Sequence, residues 1–297
     1  MTKETTIDSI LKYIERNIEV SSININTLVE YSGYSRRYLQ LLFKEIIGLS
    51  IGKYIQQRRV TRAAIYLRLT NLPIDIISGR LCYDSQQTFS REFKKKSGYT
   101  PLQYRKYKVW TFKYQTGYRF IKSSLPIPEL YYLPQRKFTG ISLKYKEKIP
   151  YTPASSKIKW DVVQSLLLKQ TSLFISNNTM QGSRRKNEFI INSIIWEKSE
   201  TSDCEYSIEG GVYALFRYTG KPAGYSDHIN NIYLNALPFY GLQKKNSFDL
   251  EIICIDANGG RYFEYYLPVK DEGINFKPEI KHLDYPWQYT GVWSSIK

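Results

Sequence analysis

Two stretches of the chain place residues that can hydrogen-bond to nucleic acid on one side of a predicted helix. Glutamine can bond bidentately to adenine and arginine to guanine, whereas lysines near a helix end mostly contact phosphate. The outward-facing candidates are Arg36, Arg37, Gln40, Leu41 and Lys44 in the first stretch and Gln86, Gln87, Ser90, Arg91, Lys94 and Lys95 in the second. These residue types predict two surfaces for double-stranded DNA, and the alternative for each residue is a polar helix face in contact with solvent.

These stretches belong to a pattern that occurs twice in the first 108 residues. Phe43 and Gly48 recur as Phe93 and Gly98, at an offset of fifty positions. Each copy has the spacing of a helix-turn-helix unit, which offers one recognition helix to a major groove, so two copies can read two grooves without dimerising. The apolar periodicity predicts helices over 7–18, 25–33, 36–47 and 51–70, then a second unit that begins at Pro73 and has a recognition helix capped by Ser85.

The net charge of +16 is concentrated in this repeat, because residues 1–108 hold 19 Lys and Arg against 9 Asp and Glu. Such an excess attracts phosphate backbones, and Arg58, Arg59 and Arg62 add to it between the two units. An anionic membrane surface would attract the same charge. No apolar run approaches the roughly 20 residues of a spanning helix, and the N-terminus lacks the apolar stretch of a signal peptide. We therefore expect a cytoplasmic, nucleoid-associated protein.

The sequence has no recognisable catalytic or metal-binding pattern. Its three cysteines are far apart and form no CxxC, and His228 and His282 lack partners at the spacing of a triad or a metal site. A glycine-rich loop for a nucleotide is also missing. We therefore expect no enzymatic activity, no metal and no other cofactor.

After residue 108 the pattern changes to strands and helices in alternation. Strands are predicted at 139–145, 210–218, 250–255 and 262–269, with helices at 159–169 and 227–237 and a hairpin turn at Asn258-Gly259-Gly260. The predicted architecture is an all-α double helix-turn-helix domain over 1–108, a linker over 109–128, an α+β domain over 129–270 and a C-terminal extension of unknown role over 271–297.

The first domain resembles the DNA-binding domain of the AraC/XylS transcription regulators, in particular the MarA, SoxS and Rob branch. The resemblance is carried by GYSRRYLQLLFKEIIGLSIGKYIQQRR at 33–59, LRLTNLPI at 67–74, YDSQQTFSREFKK at 83–95 and TPLQYR at 100–105. It implies a monomer on an asymmetric DNA site, activation of stress or multidrug-resistance genes, and contact with RNA polymerase. It also implies base contacts by Arg37, Gln40 and Leu41 of the first helix, and DNA contacts by Gln86, Gln87, Thr88 and Arg91 of the second. Arg37 and Leu41 stand where that branch usually has tryptophan and arginine, so we expect binding to persist with a different first half-site.

Residues 129–270 resemble the GyrI-like effector-binding domain, as found after the DNA-binding part in Rob. The resemblance is carried by GGVYALFRYTG at 210–220, the helix that follows, and FEYYLPV at 263–269. It implies that Glu264 faces a cavity for a small cationic or amphipathic molecule, and a carboxylate with aromatic walls suits an organic cation. The candidate wall residues are Trp160, Tyr213, Tyr218, Tyr233, Tyr240 and Tyr262.

Three functions remain open from the sequence. The chain could be a sequence-specific regulator whose second domain senses a ligand or modulates the availability of the protein. It could instead be a nonspecific or origin-associated architectural DNA-binding protein, or a protein that mainly sequesters amphiphiles. Affinity measured against salt and sequence separates the first two, because a nonspecific binder loses affinity equally on all sequences.

Overall fold

The structure is a computed structural model that describes residues 2–107, 109–111, 125–148, 157–182, 186–197, 206–255, 260–271 and 280–282. Its N-terminal domain consists of the helices α1 (Lys3–Asn17), α2 (Ile25–Ser32), α3 (Arg36–Ile47), α4 (Ile51–Leu69), α5 (Ile74–Arg80), α6 (Gln86–Ser97) and α7 (Pro101–Lys106). None of the helices in these described ranges combines the length and the hydropathy that crossing a lipid bilayer requires.

The α2–α3 and α5–α6 pairs form the two helix-turn-helix units. Gly33 ends α2 in the left-handed region with a φ of 69°, and the Ser35 hydroxyl then caps α3. In the second unit Cys82 takes the corresponding left-handed conformation with a φ of 55°, and Ser85 caps α6. Both copies therefore place a left-handed residue before the recognition helix, although one has glycine there directly after the helix and the other has cysteine one residue later.

Helix α4 joins the two units and is held against α1 by buried ion pairs. Arg58 donates hydrogen bonds to both carboxylate oxygens of Glu15, at 2.7 and 2.8 Å, and Arg62 pairs with Glu15 and Glu19. Burial by itself would raise the pKa of Glu15, but the charge and hydrogen bonds of Arg58, followed by the charge of Arg62, hold that pKa below its usual value. Arg58 and Arg62 therefore do not extend the DNA-facing charge, contrary to the expectation from their sequence positions.

The second domain is α+β and is built on a sheet. Its elements are β1 (Val109–Trp110), β2 (Glu129–Leu133), β3 (Arg136–Lys148), α8 (Lys157–Leu167), β4 (Ser172–Gln181), β5 (Glu188–Glu197), β6 (Tyr206–Ile208), β7 (Gly211–Tyr218), α9 (Tyr225–Asn231), α10 (Leu237–Tyr240), β8 (Lys244–Lys245), β9 (Asp249–Ile255), β10 (Arg261–Pro268) and β11 (Ile280–His282). In the described residues the sheet has nine strands in the order β11-β2-β7-β10-β9-β4-β5-β3-β6. Neighbours are antiparallel, except that β11 is parallel to β2.

Strands also form outside the range predicted for this domain. Within the predicted linker, β1 pairs with β8, and within the predicted extension, β11 pairs with β2. The sequence predicted β9 and β10, which pair antiparallel as expected, but no strands at β4 and β5. The predicted turn at Asn258-Gly259-Gly260 falls largely on residues 256–259, which lie outside the described part of the chain.

The alternation of side chains along the strands gives the sheet two different faces. On β10, Phe263, Tyr265 and Leu267 share a core with residues of α8 and α9, whereas Tyr262 and Tyr266 belong to a separate cluster. We call the first the helix-covered face and the second the opposite face. A strand side chain can contribute to a site under α8 and α9 if it lies on the helix-covered face, and not if it lies on the opposite face.

The two domains are joined by one continuous core and by a buried polar contact. The core runs from α4 and α6 through Trp110 to the helix-covered face of the sheet. Arg58 also donates to the carbonyl oxygen of Leu234 at 2.9 Å and to Oδ1 of Asn235 at 3.1 Å. Both acceptors lie in a π-helical turn, Ile232–Ala236, between α9 and α10. Such turns are rare and occur frequently at functional sites.

Candidate DNA-binding surface and ligand cavity

The residues predicted to contact DNA lie on the outer faces of the two recognition helices. On α3 and α6 they are exposed except for Thr88 and Ser90, which are half-buried; the exposed residues are Arg36, Arg37, Gln40, Leu41, Lys44, Gln86, Gln87, Arg91, Lys94 and Lys95. Leu41 has 61% of its surface exposed, which is unusual for a leucine on a helix with an apolar inner face. The two residues that depart from the family branch, Arg37 and Leu41, are thus both available to a partner.

The recognition helices are held by apolar residues on their inner faces. Phe89 and Phe93 of α6 are fully buried, and Tyr104 of α7 packs edge-on against Phe93 with ring centroids 5.2 Å apart. Gln56 of α4 also donates a hydrogen bond to Glu92 of α6. These contacts fix the rotation of α6 about its axis, and so determine which of its side chains face outward.

A cavity of about 50 Å³ lies between the helix-covered face of the sheet and helices α8 and α9. Its lining combines aromatic rings, two carboxylates and one ammonium group. The lining residues are Tyr145, Glu147, Lys159, Trp160, Asn177, Thr179, Ile191, Tyr225, Ser226, Ile229, Glu251 and Tyr265. Acidic and aromatic groups around one concave site are the composition that binds organic cations.

Glu251 is the most buried carboxylate of this cavity, with 1% of the residue surface exposed. Its Oε2 accepts hydrogen bonds from Lys159 Nζ at 2.5 Å and from Asn177 Nδ2 at 3.0 Å. Its Oε1 is buried and makes no hydrogen bond of standard geometry among the described residues, although the Tyr225 hydroxyl lies close enough to Glu251 for the carboxylate to raise the pKa of that tyrosine. An unsatisfied buried carboxylate oxygen is costly, so Oε1 is a strong acceptor for a ligand that enters the cavity.

Lys159 is charged in this environment. Burial by itself would lower its pKa, but the negative charge of Glu251 comes next, and with Tyr145 and Glu147 it raises the pKa above the usual value. The described lining therefore holds two carboxyl groups, Glu147 and Glu251, and one ammonium group, that of Lys159. Burial, and after it the charge of Glu251, raise the pKa of Tyr225 well above its usual value, so the tyrosine hydroxyl stays neutral.

Aromatic rings form one wall of the cavity and the layer behind it. Tyr225 stacks on Phe263 with centroids 4.4 Å apart, and Trp160 lies edge-on to both, 6.0 Å away. Tyr218 packs behind Tyr225 at 5.7 Å. Of the predicted wall residues, Trp160 lines the cavity and Tyr218 supports it from the second layer.

Glu264 is placed outside the cavity. It follows Phe263 on β10 and so lies on the opposite face, where it accepts hydrogen bonds from Arg217 at 3.2 Å and from the Tyr266 hydroxyl at 2.7 Å. Tyr213 also lies on this face. Because successive strand residues alternate, a shift of one position moves a side chain to the other side of the sheet. The expectation that Glu264 faces the cavity therefore disagrees with the position that the structure gives it.

Tyr233 does not line the cavity but shares a hydrogen-bond acceptor with a residue that does. Its hydroxyl donates a hydrogen bond to Asp249 at 2.5 Å, and the Tyr265 hydroxyl donates to the same oxygen at 2.9 Å. Tyr265 lines the cavity and is the cross-strand partner of Glu251. Tyr233 is thus linked to the cavity through a shared carboxylate.

Sequence reasoning missed the charged residues of the cavity, Glu147, Lys159 and Glu251. A signal for one of them was present in β9, where Asp249 and Glu251 alternate with apolar residues in a strand that is otherwise apolar. Carboxylates are almost never fully buried unless they are paired, so two of them on one side of an apolar strand indicate a polar site. Lys159 gave no such signal, because a lysine near the start of a helix is usually in solvent.

Comparison with known proteins identifies both domains. A helix-turn-helix domain model matches residues 28–107, and a GyrI-like small molecule binding domain model matches residues 127–270. The F1 operon positive regulatory protein of Yersinia pestis is 40% identical over 282 residues, which cover 95% of this chain and 93% of that protein. Transcriptional regulator Rob of Salmonella typhimurium is 27% identical, over 84% of this chain and 91% of that protein. The C-terminal domain of AraT, a response regulator from Geobacillus stearothermophilus, is 31% identical with a TM-score of 0.34, and the match covers 35% of this chain and 87% of that one.

Proposed function

We propose that this chain, which belongs to the AraC/XylS family of transcriptional regulators and is Rob-like in carrying a GyrI-like domain, binds an asymmetric DNA site as a monomer. The observation that carries the proposal is the doubled set of exposed glutamine, arginine and lysine residues on α3 and α6. The helix between the two units, α4, has 19 residues. At about 1.5 Å per residue it is about 28 Å long, which is close to the roughly 34 Å between successive major grooves on one side of DNA.

Each recognition helix has residues for bases and residues for phosphates. Gln86, Gln87 and Arg91 are the base-reading candidates of α6, and Lys94 and Lys95 near its C-terminal end are the phosphate contacts. On α3, Arg37 bonds to guanine or phosphate and Gln40 to adenine, whereas Leu41 can make an apolar contact with a thymine methyl group. The first half-site is therefore expected to differ from that of relatives with arginine at the position of Leu41.

The proposed direction of regulation is supported by the most extensive likeness reported above. The Yersinia pestis relative is named a positive regulatory protein, and it matches nearly the whole of this chain. We therefore infer that this protein activates transcription, which requires a contact with RNA polymerase. Stress and multidrug-resistance genes are the proposed targets.

The GyrI-like domain is the proposed sensor of a small amphipathic cation. Support comes from the two carboxyl groups of the described lining, the Oε1 of Glu251 that makes no hydrogen bond of standard geometry among the described residues, and the aromatic wall of Trp160 and Tyr225. A route to the DNA-binding domain also exists in the contacts: Tyr265 of the cavity shares Asp249 with Tyr233, whose helical turn accepts the hydrogen bonds of Arg58. A ligand that prefers one arrangement of these contacts would change DNA affinity.

The test of the DNA-binding proposal is selection of binding sites from random duplexes by the full chain, at about 150 mM salt so that phosphate contacts do not dominate. A regulator is expected to yield a two-part motif with half-sites about one helical turn apart. Recovery of no motif, together with equal affinity for all duplexes, would overturn specific regulation in favour of an architectural role.

A further inference from the structure

The cavity already contains a cation that belongs to the protein. Lys159 is in the first turn of α8, and its side chain has 10% of its surface exposed. Its Nζ lies 2.5 Å from Glu251 Oε2 and 5.9 Å from the ring centroid of Trp160. A carboxylate on one side and an aromatic ring on the other are the two groups that a protein uses to bind an organic cation.

The position of this lysine is not explained by its helix. A positive charge in the first turn opposes the helix dipole, which favours acidic residues there. Burial also disfavours an ammonium group. The charges that offset both effects are Glu251 and Glu147, so Lys159 is placed where it is by the charge of the cavity.

We propose that Lys159 is a tethered cation that occupies the ligand position of the cavity, and that a cationic ligand binds by displacing it. The inference rests on the proposed function, since it names what occupies that same cavity and what displaces it. The side chain has a flexible four-carbon stem and a hydrated head group, so it can move from the cavity to solvent. Displacement makes room in a cavity of about 50 Å³, which is far smaller than the roughly 300 Å³ at which ligand sites begin.

Exchange of one cation for another explains selectivity as well as closure. The Oε1 of Glu251 makes no hydrogen bond of standard geometry among the described residues, with the Tyr225 hydroxyl beside the carboxylate, and it gives an entering cation its first contact while Lys159 still holds Oε2. When Lys159 leaves, the carboxylate remains paired with the ligand. A neutral molecule of the same shape would leave a buried carboxylate without a counter-charge, which is strongly unfavourable. Lys159 therefore makes the cavity select cationic over neutral ligands, because only a cation can replace its charge.

The first experiment compares the wild-type chain with Lys159→Met, using phenyltrimethylammonium and its neutral isostere tert-butylbenzene as probes and tryptophan fluorescence or calorimetry as the readout. We expect the variant to bind the cation about tenfold more tightly than the wild type, because no resident cation competes. Equal or weaker binding by a folded variant would overturn the tethered-cation proposal and leave ligand binding intact. Failure of both proteins to bind the cation would overturn the proposed sensor function, and the tethered cation with it.

A second experiment needs no substitution and therefore does not depend on the folding of a variant. The wild-type protein is acetylated with a limiting amine-reactive reagent, with and without phenyltrimethylammonium, and the modified lysines are identified by mass spectrometry. Lys159 should become several-fold more reactive with the ligand, while the exposed Lys169 beyond the end of the same helix should not change. Saturation with ligand and no increase at Lys159 would show that the lysine stays in place, contrary to the proposal.

Discussion

Cys82 holds a left-handed backbone conformation at a turn where the first helix-turn-helix unit has a glycine. A left-handed conformation costs a residue with a Cβ about 1–2 kcal/mol, whereas glycine loses about 0.5–1 kcal/mol of chain entropy on folding. We therefore expect Cys82→Gly to raise the free energy of unfolding by up to about 1 kcal/mol, measured by urea denaturation. The matched control is Gly33→Ala: its Cβ would meet no atom within 4 Å, so its expected destabilisation comes from the backbone angle. A loss of stability in Cys82→Gly would contradict this account.

Glu251 and Glu264 are two glutamates on neighbouring strands that differ in the face they occupy. If the cavity binds cations through its carboxylates, Glu251→Gln should weaken binding of phenyltrimethylammonium by about tenfold or more, the size of a desolvated cation contact. Glu264→Gln should leave that affinity unchanged, because Glu264 pairs with Arg217 on the opposite face. Titration calorimetry on the two variants distinguishes these sites, and the reverse result would place the ligand on the opposite face.

Gln86 and Arg91 test whether α6 reads bases. Each is exposed, and truncation to alanine should weaken binding to the selected site by about 1–3 kcal/mol if the side chain contacts a base. Lys94→Ala is the control, since a phosphate contact should be lost equally on the selected site and on random DNA. Fluorescence anisotropy on both duplexes measures the difference, and an equal loss for Gln86→Ala and Arg91→Ala would mean that they contact only the backbone.

At the scale of elements, the sequence predicts those whose packing pattern is local. The apolar residues of α3 and α6 recur at helical spacing, and Ser35 and Ser85 mark where each helix begins, so both recognition helices are readable. Strands β4 and β5 are not readable in this way, because they contain buried polar residues. Asn177 and Ser193, for example, are satisfied by hydrogen bonds to each other and to Glu251 of β9, which is distant in sequence. The sequence also does not predict which residues of β10 face the cavity, because this depends on which side of the sheet α8 and α9 cover.

Helix α9 contains a histidine that should make stability depend on pH. Burial lowers the pKa of His228 from 6.5 to about 4, and its Nε2 is buried without a hydrogen-bond partner among the described residues. Between these two pH values the unfolded chain therefore binds a proton that the folded chain does not. The free energy of unfolding should consequently fall as the pH drops through this window.

The measurement for His228 is a series of urea denaturations from pH 7 to pH 4.5, on the wild type and on His228→Phe. Phenylalanine keeps a ring against Tyr218 and Tyr225, whose centroids lie 4.9 and 6.2 Å from that of the histidine, but it cannot take up a proton. The variant should lose less stability than the wild type over this range. Parallel curves for the two proteins would assign the pH dependence to other groups.

At the scale of the whole molecule, the DNA-binding and ligand-binding parts form one packed body. Residues of α4 and α6 share a core with the helix-covered face of the sheet, and Asn71 of the first domain donates a hydrogen bond to the carbonyl of Gly182 in the second. Trp110 of β1 packs against Tyr233 with ring centroids 5.6 Å apart. A strand in the expected linker thus belongs to the interface between the two domains, and the proposed ligand would act on a DNA-binding domain that is already in contact with the domain of the cavity.

Arg58 couples the contact between the two domains to the packing inside the first domain. Its guanidinium is buried and bonds both to Glu15 and to the π-helical turn of the second domain. Arg58→Met should lower the free energy of unfolding by about 3 kcal/mol, because it leaves Glu15 buried with Arg62 as its remaining partner at 3.5 Å. In Arg58→Met/Glu15→Leu no carboxylate is stranded, so this double variant should recover much of the loss. Denaturant titrations of the single and double variants measure both effects. A loss below about 1 kcal/mol for Arg58→Met would mean that the buried Arg58 network contributes little to stability.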